Sequence, residues 1–191
     1  MERSGTAPKQ LQMLDQAYRK VVQDALRTWP QEACGALLGP EGESNDPQIG
    51  ALVADRPRIV VDAQPAAGVD TVRSPDSFQI GAQDMVALHA HAQEVGMAIV
   101  GFYHSHPNAG AVPSRTDLPQ FAAQASVRFG ATWPGHALVI VSVANGACEA
   151  VQAYWLTDGE HARYEPLELV RIPPSRDPCQ RQQPERTINA E

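Results

Sequence analysis

The sequence predicts an α/β fold in which helices lie on both sides of a mixed sheet. Apolar residues recur at helical spacing near the start of the chain and again between residues 80 and 95. Apolar runs of strand length lie between and after these stretches, and Ala144-Asn145-Gly146 is a hairpin signal between two of them. At 191 residues the chain is long enough for one domain with a full hydrophobic core.

The predicted elements follow in chain order. The first helix contains apolar residues from Leu11 to Trp29 and is stopped by Pro30, and a second helix is predicted over Ile80 to Val95. A third helix is predicted from Ser114 to about Val127. The predicted strands are Cys34 to Leu38, Ile49 to Ala54, Arg58 to Ala63, Met97 to Tyr103, Ala137 to Val143, Cys148 to Leu156 and Tyr164 to Val170.

We expect a single domain over residues 1–171 and a disordered tail over residues 172–191. The tail contains four prolines among arginine and glutamine residues, a composition that buries little apolar surface.

Charge and composition exclude several classes of protein. The formal net charge is −7, with 22 acidic against 15 basic residues, which disfavours a nucleic-acid partner because such binders present a basic face. The longest apolar runs are far shorter than a membrane-spanning helix, and the polar start has no apolar signal region, so no membrane partner is expected. Three widely separated cysteines suit reduced thiols. These observations predict a cytoplasmic protein.

The most informative segment is His104-Ser105-His106-Pro107, followed after six residues by Ser114-Arg115-Thr116-Asp117. The two histidines end an apolar run of strand length and stand two residues apart, so their side chains project from the same side of the strand. Both imidazoles can therefore converge on one ion. Pro107 cannot donate to a sheet ladder and ends the strand.

These residue types are those of a hydrolytic zinc site. Two neutral imidazoles and a carboxylate give three protein ligands and leave one tetrahedral position open for water, whereas a structural zinc site is closed by four ligands, usually with cysteines. A glutamate that does not bind the metal, Glu32, would supply the base that takes a proton from that water.

Each residue also has a purely structural interpretation. Ser114 with Asp117 is typical of a helix start, in which the serine caps the helix and the acid complements its dipole. Glu32 alone is most simply a solvated charge. The conjunction of the residues favours a metal site, and capping is compatible with catalysis at Ser114. For Cys34 a small buried thiol is favoured, and a thiol near the metal is the alternative.

The pattern Glu32 … His104-Ser105-His106-Pro107-x6-Ser114-x-x-Asp117 resembles the signature of the JAMM zinc metalloproteases, also called the JAB or MPN-plus family, at every motif position. The residues after Glu32, Ala33 to Gly39, and the run Val100 to Tyr103 resemble the strand contexts of bacterial members. The resemblance covers about residues 10–157.

The resemblance implies a cytidine-deaminase-like, three-layer α/β/α fold with a mixed central sheet. It implies one zinc ion per chain, bound by His104, His106 and Asp117, with Glu32 as general acid/base and Ser114 helping to hold the oxyanion. It also implies a substrate class, namely peptide or isopeptide bonds beyond the C-terminal glycines of ubiquitin or ubiquitin-like proteins, which in bacteria are sulfur-carrier proteins.

Three other functions are alternatives to this one. A general zinc peptidase of unknown substrate would use the same residues. A nucleobase deaminase of the same fold needs H-x-E and P-C-x-x-C signatures, and this sequence contains no C-x-x-C. A non-catalytic MPN-type scaffold module would have lost the motif, which is intact here. The sequence leaves a monomer and a homodimer open.

Overall fold

The computed structural model describes residues 8–40, 58–117, 136–156 and 163–173. The predicted strand at Ile49 to Ala54, nearly all of the third predicted helix and the tail beyond residue 173 lie outside these ranges. The described elements, in chain order, are β1 (Gln10–Leu14), α1 (Asp15–Thr28), β2 (Cys34–Pro40), β3 (Arg58–Val60), β4 (Asp62–Pro65), β5 (Val72–Arg73), β6 (Phe78–Gln79), α2 (Ala82–Glu94), β7 (Met97–Pro107), β8 (Ala137–Ala144), β9 (Ala147–Leu156) and β10 (Tyr164–Ile172).

Eight of the described strands form one mixed sheet in the order β3-β1-β10-β9-β8-β7-β2-β4, and β5 pairs with β6 in a separate hairpin. The pairs β7–β8, β1–β10 and β1–β3 are parallel, and the other pairs are antiparallel. Only Val61 separates β3 from β4, and its N–H donates to the Leu38 carbonyl of β2 at 2.8 Å. The two ends of the strand order therefore approach each other, and the sheet curls.

The two helices within the described residues cover opposite faces of this sheet. The buried side of α1, with Ala17, Val21 and Ala25, packs in one cluster with Tyr103 and Val139. The buried side of α2, with Met85, Leu88 and Ala92, packs in a second cluster with Phe102 of β7 and Ile140 of β8, each next in sequence to a strand residue of the first cluster. The helices thus lie on both sides of a mixed sheet, as the sequence predicts.

The first predicted helix is wrong at its start. Leu11 and Leu14 belong to the strand β1, and the helix α1 begins only at Asp15. Leu11 and Met13 are fully buried while the residues between and beside them are partly exposed, which is the two-residue period of a strand. Residues 10–14 pair with β10 on one side, and residues 11–13 pair with β3 on the other, so tertiary pairing overrides the helical spacing.

The other predicted elements within the described residues are confirmed, with changes at several boundaries. The predicted strand Arg58 to Ala63 is split at Val61 into β3 and β4, and β10 runs through Ile172, one residue into the range assigned to the tail. The hairpin of β8 and β9 turns at Asn145 and Gly146, with φ of 53° and 74°, the positive values that a two-residue hairpin turn needs. None of the described helices has both the length and the apolarity to cross a membrane.

The pairing of β2 with β7 places the motif residues together. Cys34 lies opposite His104 in this antiparallel ladder, so Glu32, two residues before β2, lies beside the end of β7 that carries both histidines. Gly35 makes the close approach of the strands feasible. A Cβ at Gly35 would lie 2.4 Å from the Gln64 carbonyl oxygen and 2.6 Å from the Tyr103 ring, so a larger residue has no room there.

Candidate metal centre

The structure brings His104, His106 and Asp117 together. The two Nε2 atoms are 2.9 Å apart, and Asp117 Oδ2 lies 3.4 Å from His104 Nε2 and 3.5 Å from His106 Nε2. All three side chains are buried, with exposed fractions of 0%, 6% and 3%. The spacing of the histidines in β7 therefore gives the convergence that the sequence predicts.

This triangle of atoms suits a tetrahedral metal ion. Ligands placed tetrahedrally at about 2.0–2.2 Å from zinc lie about 3.3–3.6 Å from one another. The two distances to Asp117 fall in that range, and the distance between the imidazole nitrogens is shorter by a few tenths of an ångström. Two imidazoles and one carboxylate are also a donor set that binds zinc with one position left open.

A backbone carbonyl orients His106. Its Nδ1 lies 2.9 Å from the Gly110 carbonyl oxygen, an atom that can only accept, so Nδ1 carries the proton and Nε2 presents its lone pair to the centre of the triangle. The ring of His104 packs against Phe78 of β6, with centroids 5.1 Å apart. The hairpin of β5 and β6 thus forms one wall of the site.

The loop that supplies the Gly110 carbonyl is anchored by β8 and β9. The Ser142 hydroxyl donates to the Ala109 carbonyl at 2.7 Å, and the Tyr154 hydroxyl donates to the Ala111 carbonyl at 2.8 Å. Neither residue is predicted from the sequence. Ser142 did leave a signal, because it is the only polar residue in the apolar run of β8, whereas Tyr154 left none.

Ser114 contacts Asp117 twice. Its backbone N–H donates to Asp117 Oδ2 at 2.6 Å, and its hydroxyl donates to Oδ1 at 2.7 Å. The first bond is one half of a capping box, the pattern in which an acid side chain accepts from the backbone N–H three residues before it. The second bond fixes the carboxylate in the orientation that turns Oδ2 toward the histidines. Ser114 is itself exposed, so it lies at the mouth of the site.

The charges of the triangle favour a cation. Burial raises the pKa of Asp117, but hydrogen bonds and charge from His104 and His106 lower it more, so the pKa lies well below its usual range. Burial lowers the pKa of His104. Burial also lowers that of His106, but Asp117 and the Gly110 carbonyl outweigh it and the pKa is raised. An ionised carboxylate that draws a proton onto a neighbouring imidazole marks a place where positive charge is stabilised.

Glu32 is buried beside this triangle and is not one of the three convergent groups. Burial raises its pKa to about 7. The charge of His106 opposes this shift, and the charges of Asp117 and Asp76 add to it. A carboxyl group with a pKa near neutrality can both accept and return a proton. Its backbone N–H donates to the Ser74 carbonyl at 2.9 Å, which ties it to the turn between β5 and β6.

Cys34 has the features of a packed thiol. It is fully buried in the cluster beneath α2, and burial raises its pKa to about 12 against the opposing charge of Arg73. A thiol with so high a pKa is protonated at neutral pH and is a weak nucleophile. These observations support the favoured of the two interpretations of Cys34.

The chain is similar to a known family along most of its length. The profile of the prokaryotic homologs of the JAB domain matches residues 14–157. A CysO-cysteine peptidase of Mycobacterium tuberculosis is 29% identical over 150 residues, which cover 78% of this chain and 84% of that protein. A desampylase of Haloferax volcanii is 30% identical over 113 residues, which cover 59% of this chain and 63% of that protein.

A solved structure supports the fold. The solution structure of a protein from Desulfitobacterium hafniense matches with a TM-score of 0.60 over 85% of this chain and 93% of that one, at 20% sequence identity. The predicted α/β fold with a mixed central sheet is confirmed.

Proposed function

The chain belongs to the family of prokaryotic homologs of the JAB domain, and from this membership and the geometry of the site we propose that it is a zinc-dependent hydrolase of a protein conjugate. The bond cleaved is a peptide or isopeptide bond after the C-terminal glycines of a ubiquitin-like or sulfur-carrier protein. The observation that carries the proposal is the buried triangle of His104, His106 and Asp117 with Glu32 buried beside it.

We assign the three convergent side chains as zinc ligands and propose one ion per chain. Zinc, when bound, supplies a Lewis acid and lowers the pKa of a bound water toward neutrality. His106 is held for this role by the Gly110 carbonyl, and Asp117 is held by Ser114. Residues that orient ligands in this way commonly affect metal affinity or activity about 10–100-fold.

Glu32 is the proposed proton carrier. Its carboxylate would accept a proton from the water that attacks the substrate carbonyl and would return that proton to the departing amine. A group with both tasks needs a pKa near the working pH. Burial provides that pKa. Ser114 is the proposed hydroxyl donor to the carbonyl oxygen as negative charge develops there, because it is exposed at the mouth of the site. For this role its proton must turn from Asp117 to the substrate.

The substrate class rests on the motif resemblance and on two relatives, whose names describe a CysO-cysteine peptidase and a desampylase. A cytoplasmic location is part of the proposal. Cys34 and Cys148 are free thiols, the state that a reducing compartment favours.

A direct assay separates this substrate class from general peptidase activity. We expect the protein to cleave a small sulfur-carrier protein that ends in Gly-Gly and carries a cysteine or lysine adduct, because a folded carrier adds binding energy that a short peptide lacks. Release of the adduct is followed by mass spectrometry. The matched control is the isolated C-terminal peptide with the same adduct. Equal kcat/KM for the two substrates would reject recognition of the carrier.

Metal content tests the ligand assignment. The purified protein should hold one zinc ion per chain, measured by elemental analysis, and a His104→Ala/His106→Ala variant should lose it because only Asp117 remains of the three ligands. The control is a His89→Ala/His91→Ala variant, which removes two histidines of the same spacing from helix α2. Stoichiometric zinc in the first variant would contradict the assignment.

Substitution of Glu32 separates the proton carrier from the ligands. Glu32→Gln keeps size and hydrogen bonding but removes the proton acceptor, so the variant should keep its zinc and lose about 10²-fold or more in kcat. Glu94→Gln, at an exposed glutamate at the end of α2, is the matched control and should keep full turnover. Undiminished turnover in the Glu32→Gln variant would exclude Glu32 as the base.

Substitution of Ser114 separates its roles. An oxyanion donor should cost about 10²-fold or more in kcat while zinc is retained, and we expect this outcome for Ser114→Ala, with recovery in Ser114→Thr. Loss of zinc to a mild chelator would instead show that the hydroxyl acts by orienting Asp117. A lowered melting temperature with unchanged kcat would show that Ser114 serves only as a helix cap, a role whose loss costs about 1 kcal/mol in the free energy of unfolding.

A further inference from the structure

Ser105 lies between the two histidines of β7 but points away from them. Successive side chains of a strand alternate between faces, and Tyr103, two residues earlier, belongs to the cluster beneath α1. Ser105 therefore faces the α1 side, opposite the proposed zinc ligands, and only 1% of it is exposed. A buried hydroxyl at this position needs a hydrogen-bond partner.

That partner is the backbone of the residue after Glu32. The N–H of Ala33 donates to Ser105 Oγ at 2.8 Å, and the N–H of Ser105 donates to the Ala33 carbonyl at 2.9 Å. In a regular antiparallel ladder every second pair of facing residues exchanges two N–H···O=C bonds. Here the serine hydroxyl replaces the serine carbonyl as one acceptor, so a side chain makes half of the last rung between β2 and β7.

This rung lies where the chain leaves the sheet. The strand β2 begins at Cys34, and the N–H of Glu32 bonds the Ser74 carbonyl of the turn between β5 and β6, at 2.9 Å. The backbone at Glu32 is thus held on one side by Ser74 and on the other, through Ala33, by Ser105. Both Ala33 and Glu32 are buried, so water does not replace a lost partner easily.

We propose that Ser105 is a positioning residue for Glu32: its hydroxyl sets the distance of the Ala33–Glu32 backbone from β7 and so places the Glu32 carboxyl against the two histidines. The inference rests on the proposed role of Glu32 as proton carrier. Ser105 touches neither substrate nor metal in this role. Ser105 can position Glu32 because it lies between the two proposed zinc ligands in the chain and also bonds Ala33, the residue next to the proposed base.

The chemistry of the rung explains why a hydroxyl is needed. Without Oγ the buried N–H of Ala33 has no acceptor unless the strands move together until the Ser105 carbonyl takes over. That movement carries Glu32 with it, and a displacement of about 1 Å in a catalytic group can cost about 10²-fold in rate. Threonine keeps the hydroxyl and suits a strand, whereas valine has nearly the same shape as threonine and lacks the hydroxyl.

The first test compares variants at Ser105. We expect Ser105→Ala and Ser105→Val to keep one zinc ion per chain and a KM within about threefold of the parent, while kcat falls about 10–100-fold. Ser105→Thr should keep kcat within about threefold. The threonine and valine variants form a matched pair that isolates the hydroxyl even if the alanine variant folds poorly. Equal kcat in that pair, or loss of zinc from Ser105→Val, would overturn the proposal.

The second test asks whether Ser105 acts through Glu32. In a Glu32→Gln background, Ser105→Val should change the residual kcat less than about twofold relative to Ser105→Thr, because residues that act as a unit are not additive. Ser142→Ala, which removes a buried hydroxyl that supports the loop of Gly110, is the control and should lower kcat by the same factor in both backgrounds.

The outcomes separate the two proposals. A Glu32→Gln variant whose kcat is lowered about 10²-fold or more, together with a hydroxyl effect of equal size in both backgrounds, would reject the role of Ser105 and leave the proposed function intact. Full turnover in Glu32→Gln would reject the assigned base and, with it, the positioning role.

Discussion

The antiparallel pairing of β2 with β7 is the constraint on which the site depends. It joins two segments about seventy residues apart in the chain and places Cys34 opposite His104. Because side chains alternate along a strand, a slip of one residue in β7 would turn both histidines to the α1 face. The Tyr103 ring occupies the space that a side chain at Gly35 would need, and its hydroxyl bonds Asp24 of α1 at 2.8 Å. The packing of Tyr103 on the α1 face therefore fixes the register of β2 against β7, and this register turns both histidines to the opposite face.

Asp117 and Glu32 are both buried, but their pKa values are shifted in opposite directions. Asp117 accepts hydrogen bonds from Ser114 and faces both imidazoles, and these partners hold its pKa far down despite burial. For Glu32 burial dominates, and its pKa rises to about 7. Paired groups whose environments push their pKa values apart commonly divide the tasks of a site. The ionised carboxylate suits a ligand, and the one near neutrality suits a proton carrier.

The sequence predicted the convergence of the candidate ligands better than it predicted the residues that surround them. The i, i+2 spacing of His104 and His106 indicates convergence from physics alone, and the structure shows it. The position of Glu32 depends on a long-range strand pairing, which only the resemblance to a family could supply. That resemblance also predicted a hydrolase, and the family match confirms it. The helical spacing of Leu11 and Leu14 gave a wrong prediction, because pairing with β10 and β3, both distant in the sequence, makes this segment a strand. Tyr154 could not be found, because its bond to a carbonyl 43 residues away depends on the fold alone.

The strands β8 and β9 carry none of the proposed zinc ligands, but they support the loop that orients one of them. The segment between Pro107 and Ser114 has no regular secondary structure, so its carbonyls need partners from elsewhere in the chain. Ser142 of β8 and Tyr154 of β9 bond the carbonyls on either side of Gly110, and Gly110 in turn orients His106. Hydrogen bonds at both neighbours of Gly110 thus restrict where its carbonyl can lie. The orientation of His106 in the proposed metal centre therefore depends on side chains of β8 and β9, whose hydroxyls bond the loop that carries Gly110.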